Sequence, residues 1–308
     1  MTPDPTPLRA LSRLVDAQGE AAQEVPTAGG DAGGDAPAVV APGVGSTLPA
    51  EAPYDDEFDV ADGSRVGFVH STETTSGVNG PGLRYTVFLS GCGLRCLYCH
   101  NPDTQGMRLG ERTSATRVIE EVGRYLAFIR RHGGLTVTGG EPLLQPGFVE
   151  ELFVGVKSEY GLHTTLDTAA NNQQRASDRL LAHTDLVLLD IKAGNAALYE
   201  RVTGGGSLAD VMAFGARLLE HDVAVWVRFV LVPGLTDAPE HIAQVADRAA
   251  ELGPIVQRVE VLPYHRLGVA KYAALGRPYP LEGTPTPTHG QVEQALAIFR
   301  ERGLVALA

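Results

Sequence analysis

An α/β fold with parallel strands and helices outside is what this sequence predicts, and three observations predict it. Short apolar or β-branched runs alternate with helical patterns six times, the strand runs finish in polar residues, and the alternation starts only after an opening stretch of different composition. The alternation alone leaves two architectures open, a doubly wound sheet or a barrel. In either, functional residues gather at the C-terminal ends of the strands.

Residues 1–62 form the opening stretch. The run TAGGDAGGDAPAVVAPGVGSTLPAEAPYDDEFD holds little large apolar material to offset ordering entropy, so a disordered Ala/Gly/Pro-rich extension is expected there. Leu8, Leu11 and Val15 sit at helical spacing, but so short an amphipathic piece is marginal alone. The folded domain is expected over 63–308. It opens with RVGFVH and the strand RYTVFLS (84–90), which runs straight into a cysteine loop. Over 114–131, Val118, Ile119, Val122, Tyr125, Leu126 and Ile129 repeat as on one face of a helix. The strand LTVTGGE, a helix near 146–160, the strand HTTLD, a helix near 172–183 and the strand DLVLLDIK follow. Helical pieces within 196–221, the strand VAVWVRFVLV, a helix near 238–252, the strand VQRVEVLPY and a last helix near 288–302 complete the order.

A formal net charge of −12 argues against holding nucleic acid by phosphate neutralisation. No apolar run approaches the roughly eighteen residues that span a bilayer, and the first thirty residues lack a basic start followed by an apolar stretch. No membrane association is expected, and the cytoplasm is the expected location. The chain has three cysteines, too few for a closed disulfide framework and available as thiols in a reducing compartment.

Polar residues do cluster where strands end. Gly139, Gly140 and Glu141 follow LTVT, Asp167 and Thr168 follow HTTL, Asp190 and Lys192 end DLVLLDIK, and His265 ends VEVLPYH. Strand alternation turns Asp190 and Lys192 to one face, and likewise Val259, Val261, Pro263 and His265. Singly, each has an ordinary structural use: His265 beside Tyr264 as a packing residue, Asp190 with Lys192 as an ion pair. Their convergence with the cysteine loop at one end of one sheet favours a site. In that loop, GCGLRCLYCHNPDT (91–104), lie Cys92, Cys96 and Cys99. A structural zinc needs four ligands, and His100, directly after Cys99, is poorly placed to supply the fourth. A cubane iron–sulfur cluster held by three cysteines keeps one iron open, as a catalytic metal site does.

The loop, with Tyr98 before its last cysteine, resembles the signature of the radical S-adenosylmethionine superfamily. The wider pattern is similar to the activating enzymes of glycyl radical enzymes, most of all those that act on pyruvate formate-lyase. The matching stretches are GVNGPGLRYTVFLSGC, CHNPDT, TVTGGEPLLQ, HTTLDT, DLVLLDIK, VWVRFVLVPGLTD and LPYHRLGVAKY, in family order from about residue 65 onward. The resemblance implies a partial (β/α)6 barrel carrying one 4Fe-4S cluster on Cys92, Cys96 and Cys99, with S-adenosylmethionine on the open iron. It implies that Tyr98 lies near the adenine, that Gly139, Gly140, Glu141 and Asp167 meet the cofactor, that Asp190 and Lys192 orient its amino and carboxylate groups, and that His265 touches the ribose. It also implies a monovalent cation at Asp167, Thr168, Asp190 and the carbonyl of Leu188. Reductive cleavage would give a 5′-deoxyadenosyl radical that takes hydrogen from a glycine of pyruvate formate-lyase, with a flavodoxin or ferredoxin as electron donor, in a monomer working anaerobically.

Two places depart from that pattern: Asn79 stands where the family has aspartate, and Ala169-Ala170 where it has Asn-Gly. An activator of another glycyl radical enzyme is the nearest alternative, although such activators commonly carry extra cysteine-rich inserts for which this chain has no cysteines left. A non-catalytic iron–sulfur electron carrier is the alternative from a different class. Arg228, inside VAVWVRFVLV, serves equally as a peptide contact or as an ion pair within the sheet.

Overall fold

The computed structural model of the protein describes residues 58–59 and 61–308. The expected extension and its short helix lie outside the described residues, apart from Phe58, Asp59, Ala61 and Asp62. Phe58 bridges antiparallel to Arg65, and the Asp62 carboxylate accepts from the Ser64 amide at 2.8 Å and from Ser114 Oγ at 3.1 Å.

Nine strands form one sheet among the described residues, in the order β3-β1-β2-β4-β5-β6-β7-β8-β9. They are β1 (Val66–Ser76), β2 (Arg84–Leu89), β3 (Glu111–Ser114), β4 (Gly134–Gly139), β5 (His163–Thr168), β6 (Leu186–Asp190), β7 (Ala224–Leu231), β8 (Val256–Pro263) and β9 (Ala306–Leu307). The first two pair antiparallel, as do β1 and β3, whereas β2, β4, β5, β6, β7 and β8 run parallel, each to the next. The sheet has two open edges, β3 and β9, so the six parallel strands make a barrel that does not close. This is the expected α/β partial barrel.

Helices cover the outer face. They are α1 (Ala115–Gly123), α2 (Leu126–Ile129), α3 (Pro146–Tyr160), α4 (Asp178–Ala182), α5 (Ala196–Thr203), α6 (Leu208–Glu220), α7 (Pro239–Glu251), α8 (Val269–Ala274) and α9 (His289–Arg300). Side-chain caps start several of them, at Ser114, Ser177, Asn195, Ser207 and Thr288, the last in a capping box with Gln291. The run expected as one helix over 114–131 is two, because the first ends at Gly123, the weakest helix former in the run. A Cβ at Gly123 would stand 2.7 Å from Tyr160 Oη, so the helix gives up propensity there to let α3 approach. The helix expected near 172–183 begins only after Ser177; before it, Gln173–Arg175 forms a single 3₁₀ turn.

Alternation along the strands splits the sheet into two faces. Val225, Val227, Phe229 and Leu231 of β7, with Val187 and Leu189 of β6, join the large core beneath the helices. Trp226, Leu186 and Leu188 form a separate apolar cluster on the opposite, inner face. Val259 and Val261 belong to the helical side, which corrects the expectation that they share a face with the site. Arg258 and Glu260 are the β8 residues that turn inward, and Glu260 pairs with both Arg258 and Arg228.

The inner face is strongly polar near the start of β2. Arg84 is fully buried, and its guanidinium donates to Thr136 Oγ1 (2.5 Å), Pro81 O (3.0 Å), Leu135 O (2.6 Å) and His163 O (3.1 Å). Burial lowers its pKa to about 10, partly offset by the field of Asp185. Two more inward side chains grip the same 77–82 segment: Thr136 Oγ1 donates to Asn79 O (2.6 Å), and Arg228 donates to Val78 O (2.5 Å). The Asn79 side chain closes back on Ser76 Oγ at 3.0 Å. Arg84→Met leaves the buried Leu135 carbonyl and the partly buried Pro81 carbonyl without these donors, and should lower the unfolding free energy by about 3 kcal/mol in a denaturant titration. An unchanged midpoint would show that this guanidinium carries no structural role.

Candidate active site

The chain leaves β2 at Leu89 and turns at Gly91, whose φ of +96° suits glycine. Gly91 donates to Thr104 O (2.7 Å) and accepts from the Glu141 amide (2.7 Å), while the Gly140 amide donates to Leu89 O (2.8 Å). The cysteine loop is thereby stitched to the end of β4. A Cβ on Gly139 would lie 2.3 Å from Leu89 N, and one on Gly140 would lie 2.1 Å from Gly91 O. These glycines therefore serve the chain's own backbone contact, a nearer reason than the cofactor approach expected from sequence. On its other side the loop is tied to the end of α5: the Arg95 amide donates to Thr203 O (2.7 Å) and that of Leu97 to Val202 O (2.9 Å).

Cys92, Cys96 and Cys99 are free thiols and all three line one cavity of about 260 Å³ at the C-terminal ends of the parallel strands. The same wall carries Tyr98, Gly139, Gly140, Asp167, Thr168, Asp190, Lys192 and His265. His265 reaches it from beyond the end of β8, where the chain has already turned, rather than by strand alternation. Its ring meets that of His100 edge-on, with centroids 4.8 Å apart. Two expected residues are absent from the wall. Leu188 is fully buried beside Trp226. Glu141 is buried behind the wall, where Thr168 Oγ1 donates to it at 2.5 Å, the Leu143 amide at 3.0 Å and the Ala169 amide at 3.2 Å.

Charges on the wall are paired. Lys192 Nζ lies 2.7 Å from Asp190 Oδ2. Burial works against the Lys192 ammonium, but Asp190 and Cys96 outweigh it and hold its pKa well above the ordinary value. Arg228 bridges Asp167 (3.2 Å) and Glu260 (2.9 Å) across the sheet. Burial raises Asp167, and Arg228 pulls it only part of the way back. Ala170 adopts φ +57° where the resemblance places glycine; its buried methyl, worth about 0.8 kcal/mol, offsets much of a left-handed cost of about 1 kcal/mol.

The donor set fits an iron–sulfur cluster. Three soft thiols converge on one cavity, the sequence has no fourth, and His100 is turned toward His265. Burial raises all three thiols, Cys96 to about 12 even with Lys192 nearby, so each carries a proton at neutral pH that a metal must displace. Tyr98 Oη is buried without a hydrogen-bond partner among the described residues, a polar atom left over beside the same space.

Residues 86–247 match the Radical SAM superfamily. The chain belongs to that superfamily, whose members carry a 4Fe-4S cluster and S-adenosylmethionine, and it is an enzyme of the activating type. Its relatives include pyruvate formate-lyase-activating enzymes. That of Streptococcus mutans is 44% identical over 237 residues, covering 74% of this chain and 89% of the relative. Those of Staphylococcus epidermidis (41%, 78% and 97% covered) and Listeria monocytogenes (42%, 76% and 96% covered) are similar to the same degree. Among solved structures, a radical SAM methyltransferase from Sphaerobacter thermophilus has a TM-score of 0.55 at 19% identity, covering 73% of this chain and 65% of that one. Streptococcus suis SuiB bound to its precursor peptide SuiA also has a TM-score of 0.55, at 15% identity, covering 72% and 48%. These two likenesses concern the fold. No helix among the described residues is long and apolar enough to cross a membrane.

Sequence reasoning passed over Thr138 and Gln105, both on the cavity wall, and left Arg228, which also lines it, outside the expected site residues. Of the two uses the sequence left open for Arg228, the structure shows the ion pair within the sheet, to Asp167 and Glu260.

Two buried groups titrate in opposition. Burial, against the hydrogen bond from Thr168, raises Glu141 from 4.5 to about 7; the folded state then holds a proton the unfolded state has lost, and this contribution fades as pH rises from about 4.5 to about 7. Burial, with Arg84 beside it, lowers His163 from 6.5 to about 4, so its contribution is complete above about 6.5 and fades as pH falls toward about 4. In metal-free protein, Glu141→Gln should therefore lose stability on acidification more steeply than the wild type, and His163→Gln should gain relative to it. Denaturation midpoints measured from pH 7 to 4.5 test this, and parallel curves for all three proteins would contradict it.

Proposed function

We propose that this chain activates pyruvate formate-lyase by placing a radical on a backbone glycine of that partner. The observation that carries the reading is the convergence of Cys92, Cys96 and Cys99 with Asp190, Lys192 and His265 on one cavity, in a chain 41–44% identical to activating enzymes of that name. Cys92, Cys96 and Cys99 would hold the cluster. Asp190 and Lys192, already joined, present one anion and one cation side by side, suited to the amino and carboxylate groups of an amino acid. Tyr98 would lie near the adenine, and the exposed His265 imidazole would meet the ribose. Gly139 and Gly140 leave backbone uncovered at the wall, and Glu141 would act from behind by fixing Thr168. When bound, the cluster and S-adenosylmethionine supply a 5′-deoxyadenosyl radical by one-electron cleavage, which takes the hydrogen atom from the glycine Cα.

A flavodoxin or ferredoxin is the electron donor in this reading, and the protein acts as a monomer in the cytoplasm. A monovalent cation at Asp167, Thr168, Asp190 and the Leu188 carbonyl would have to draw Asp167 from Arg228 and turn Thr168 from Glu141. No step depends on it.

Anaerobic mixing of reconstituted protein, reductant, S-adenosylmethionine and pyruvate formate-lyase should give the electron paramagnetic resonance signal of a glycyl radical. Cys96→Ala should give neither the signal nor cofactor cleavage. Cofactor cleavage without a radical on pyruvate formate-lyase would assign the enzyme to another glycyl radical partner. Absence of cleavage by a fully loaded cluster would return the chain to electron transfer.

A further inference from the structure

The three cysteines are not anchored alike. Cys92 follows Gly91, which is bonded to Thr104 and Glu141, and its own amide donates to Gln105 O at 3.2 Å. Arg277, just beyond α8, donates to Gln105 Oε1 at 3.0 Å and secures that end of the loop again. Cys96 stands between Arg95 and Leu97, whose amides are both taken by the end of α5. Cys99 lies past these bonds, and its amide donates within the loop, to Cys96 O at 3.1 Å.

Side chains reach the 98–103 stretch from outside the loop. Lys271 Nζ, on α8, lies 2.9 Å from Asn101 Oδ1 and 3.2 Å from Asp103 Oδ1. From the other side, His70 Nε2 of β1 lies 3.6 Å from Asp103 Oδ2. In the sheet, β1 is second from one edge, and β8, which leads into α8, is second from the other. The Asp103 carboxylate is therefore met from opposite ends of the open barrel, directly beside the thiols. Gly268 lets the approach to α8 close on the loop, since a Cβ there would stand 3.2 Å from Cys99 O and 3.2 Å from His100 Cα. Lys271, Asp103 and His70 are all half-buried. Contacts of this kind add little to global stability, yet they suffice to fix where one short stretch of loop sits.

We infer that Lys271, acting through Asn101 and Asp103, is a positioning residue that holds Cys99 in place as a ligand of the cluster. The inference deepens the reading that Cys92, Cys96 and Cys99 carry a 4Fe-4S cluster, and rests on it. Backbone bonds that Lys271 does not touch set Cys92 and Cys96, so loss of its ammonium frees one thiol of the three. A cluster held by three protein ligands has none to spare.

Two measurements test this. Full-length metal-free protein is alkylated with iodoacetamide, and the rate at each cysteine is read by mass spectrometry of its peptides. In Lys271→Met, Cys99 should react about fivefold faster than in the wild type, the size of effect expected for losing a half-buried ion pair, while Cys92 and Cys96 keep their rates. Lys271→Arg, which keeps the charge and can donate to both oxygens, should keep the wild-type rate at Cys99. Asp103→Asn, which removes the charge shared by Lys271 and His70, should speed Cys99 in the same direction as Lys271→Met. In the second measurement the proteins are reconstituted with iron and sulfide, and Lys271→Met should release iron to an added chelator faster than the wild type. An unchanged Cys99 rate, equal acceleration of all three thiols, or wild-type iron release overturns the inference. Should Lys271→Met fail to show the wild-type denaturation midpoint, Asp103→Asn decides by the same criteria. A wild-type protein that binds no four-iron cluster removes the reading beneath the inference, whereas a missing radical on pyruvate formate-lyase leaves both measurements decisive.

Discussion

The closest backbone approach at the site, between the end of β4 and the turn after β2, is the constraint on which the arrangement depends. Gly139 and Gly140 come so near Leu89 and Gly91 that a side chain at either position would overlap main-chain atoms. Only this approach lets the Gly140 and Glu141 amides bond across to Leu89 and Gly91, which sets where the cysteine loop begins. The loop is then caught a second time by the end of α5 and a third time by α8 through Lys271. Three thiols spread over eight residues are thereby brought to one cavity without a disulfide.

Behind that loop, the inner face of the barrel trades hydrophobic packing for paired charge. Asp167, Asp190 and Glu260 stand against Lys192, Arg228 and Arg258, largely shielded from water, so each pair is strong only because its partner is fixed by the strand register. Register sets Asp190 beside Arg228 and Arg228 beside Glu260. The same Arg228 holds the Val78 carbonyl, which ties the 77–82 segment to the ionic network in the wall. Asn79 in that segment spends its side chain on Ser76 and its carbonyl on Thr136, so its amide is engaged within the loop.

Much of this was legible in the sequence because the alternation of strand and helix runs is strong and the cysteines are unambiguous. The six parallel strands and the position of the loop follow from periodicity alone. What periodicity misjudged lies where a local contact overrides it. Gly123 ends a helix whose apolar face continues to Ile129, because Tyr160 needs the space. His265 belongs to the cavity although the strand carrying it turns Val259 and Val261 the other way, since strand geometry stops at Pro263. Glu141 carries the residue type expected of a site and the position next to one, yet points behind the wall, because its backbone N–H is committed to Gly91 and its carboxylate caps the turn at Leu143. Gln105 and Arg277, 172 residues apart, meet only through the fold.

The central claim is that the three cysteines leave one iron of a four-iron cluster open to the cofactor. Mössbauer spectra of protein reconstituted with ⁵⁷Fe, recorded with and without S-adenosylmethionine, address it most directly. One iron in four should change its isomer shift on addition of the cofactor while the others keep theirs. Four irons that are equivalent and unmoved by the cofactor would contradict the account.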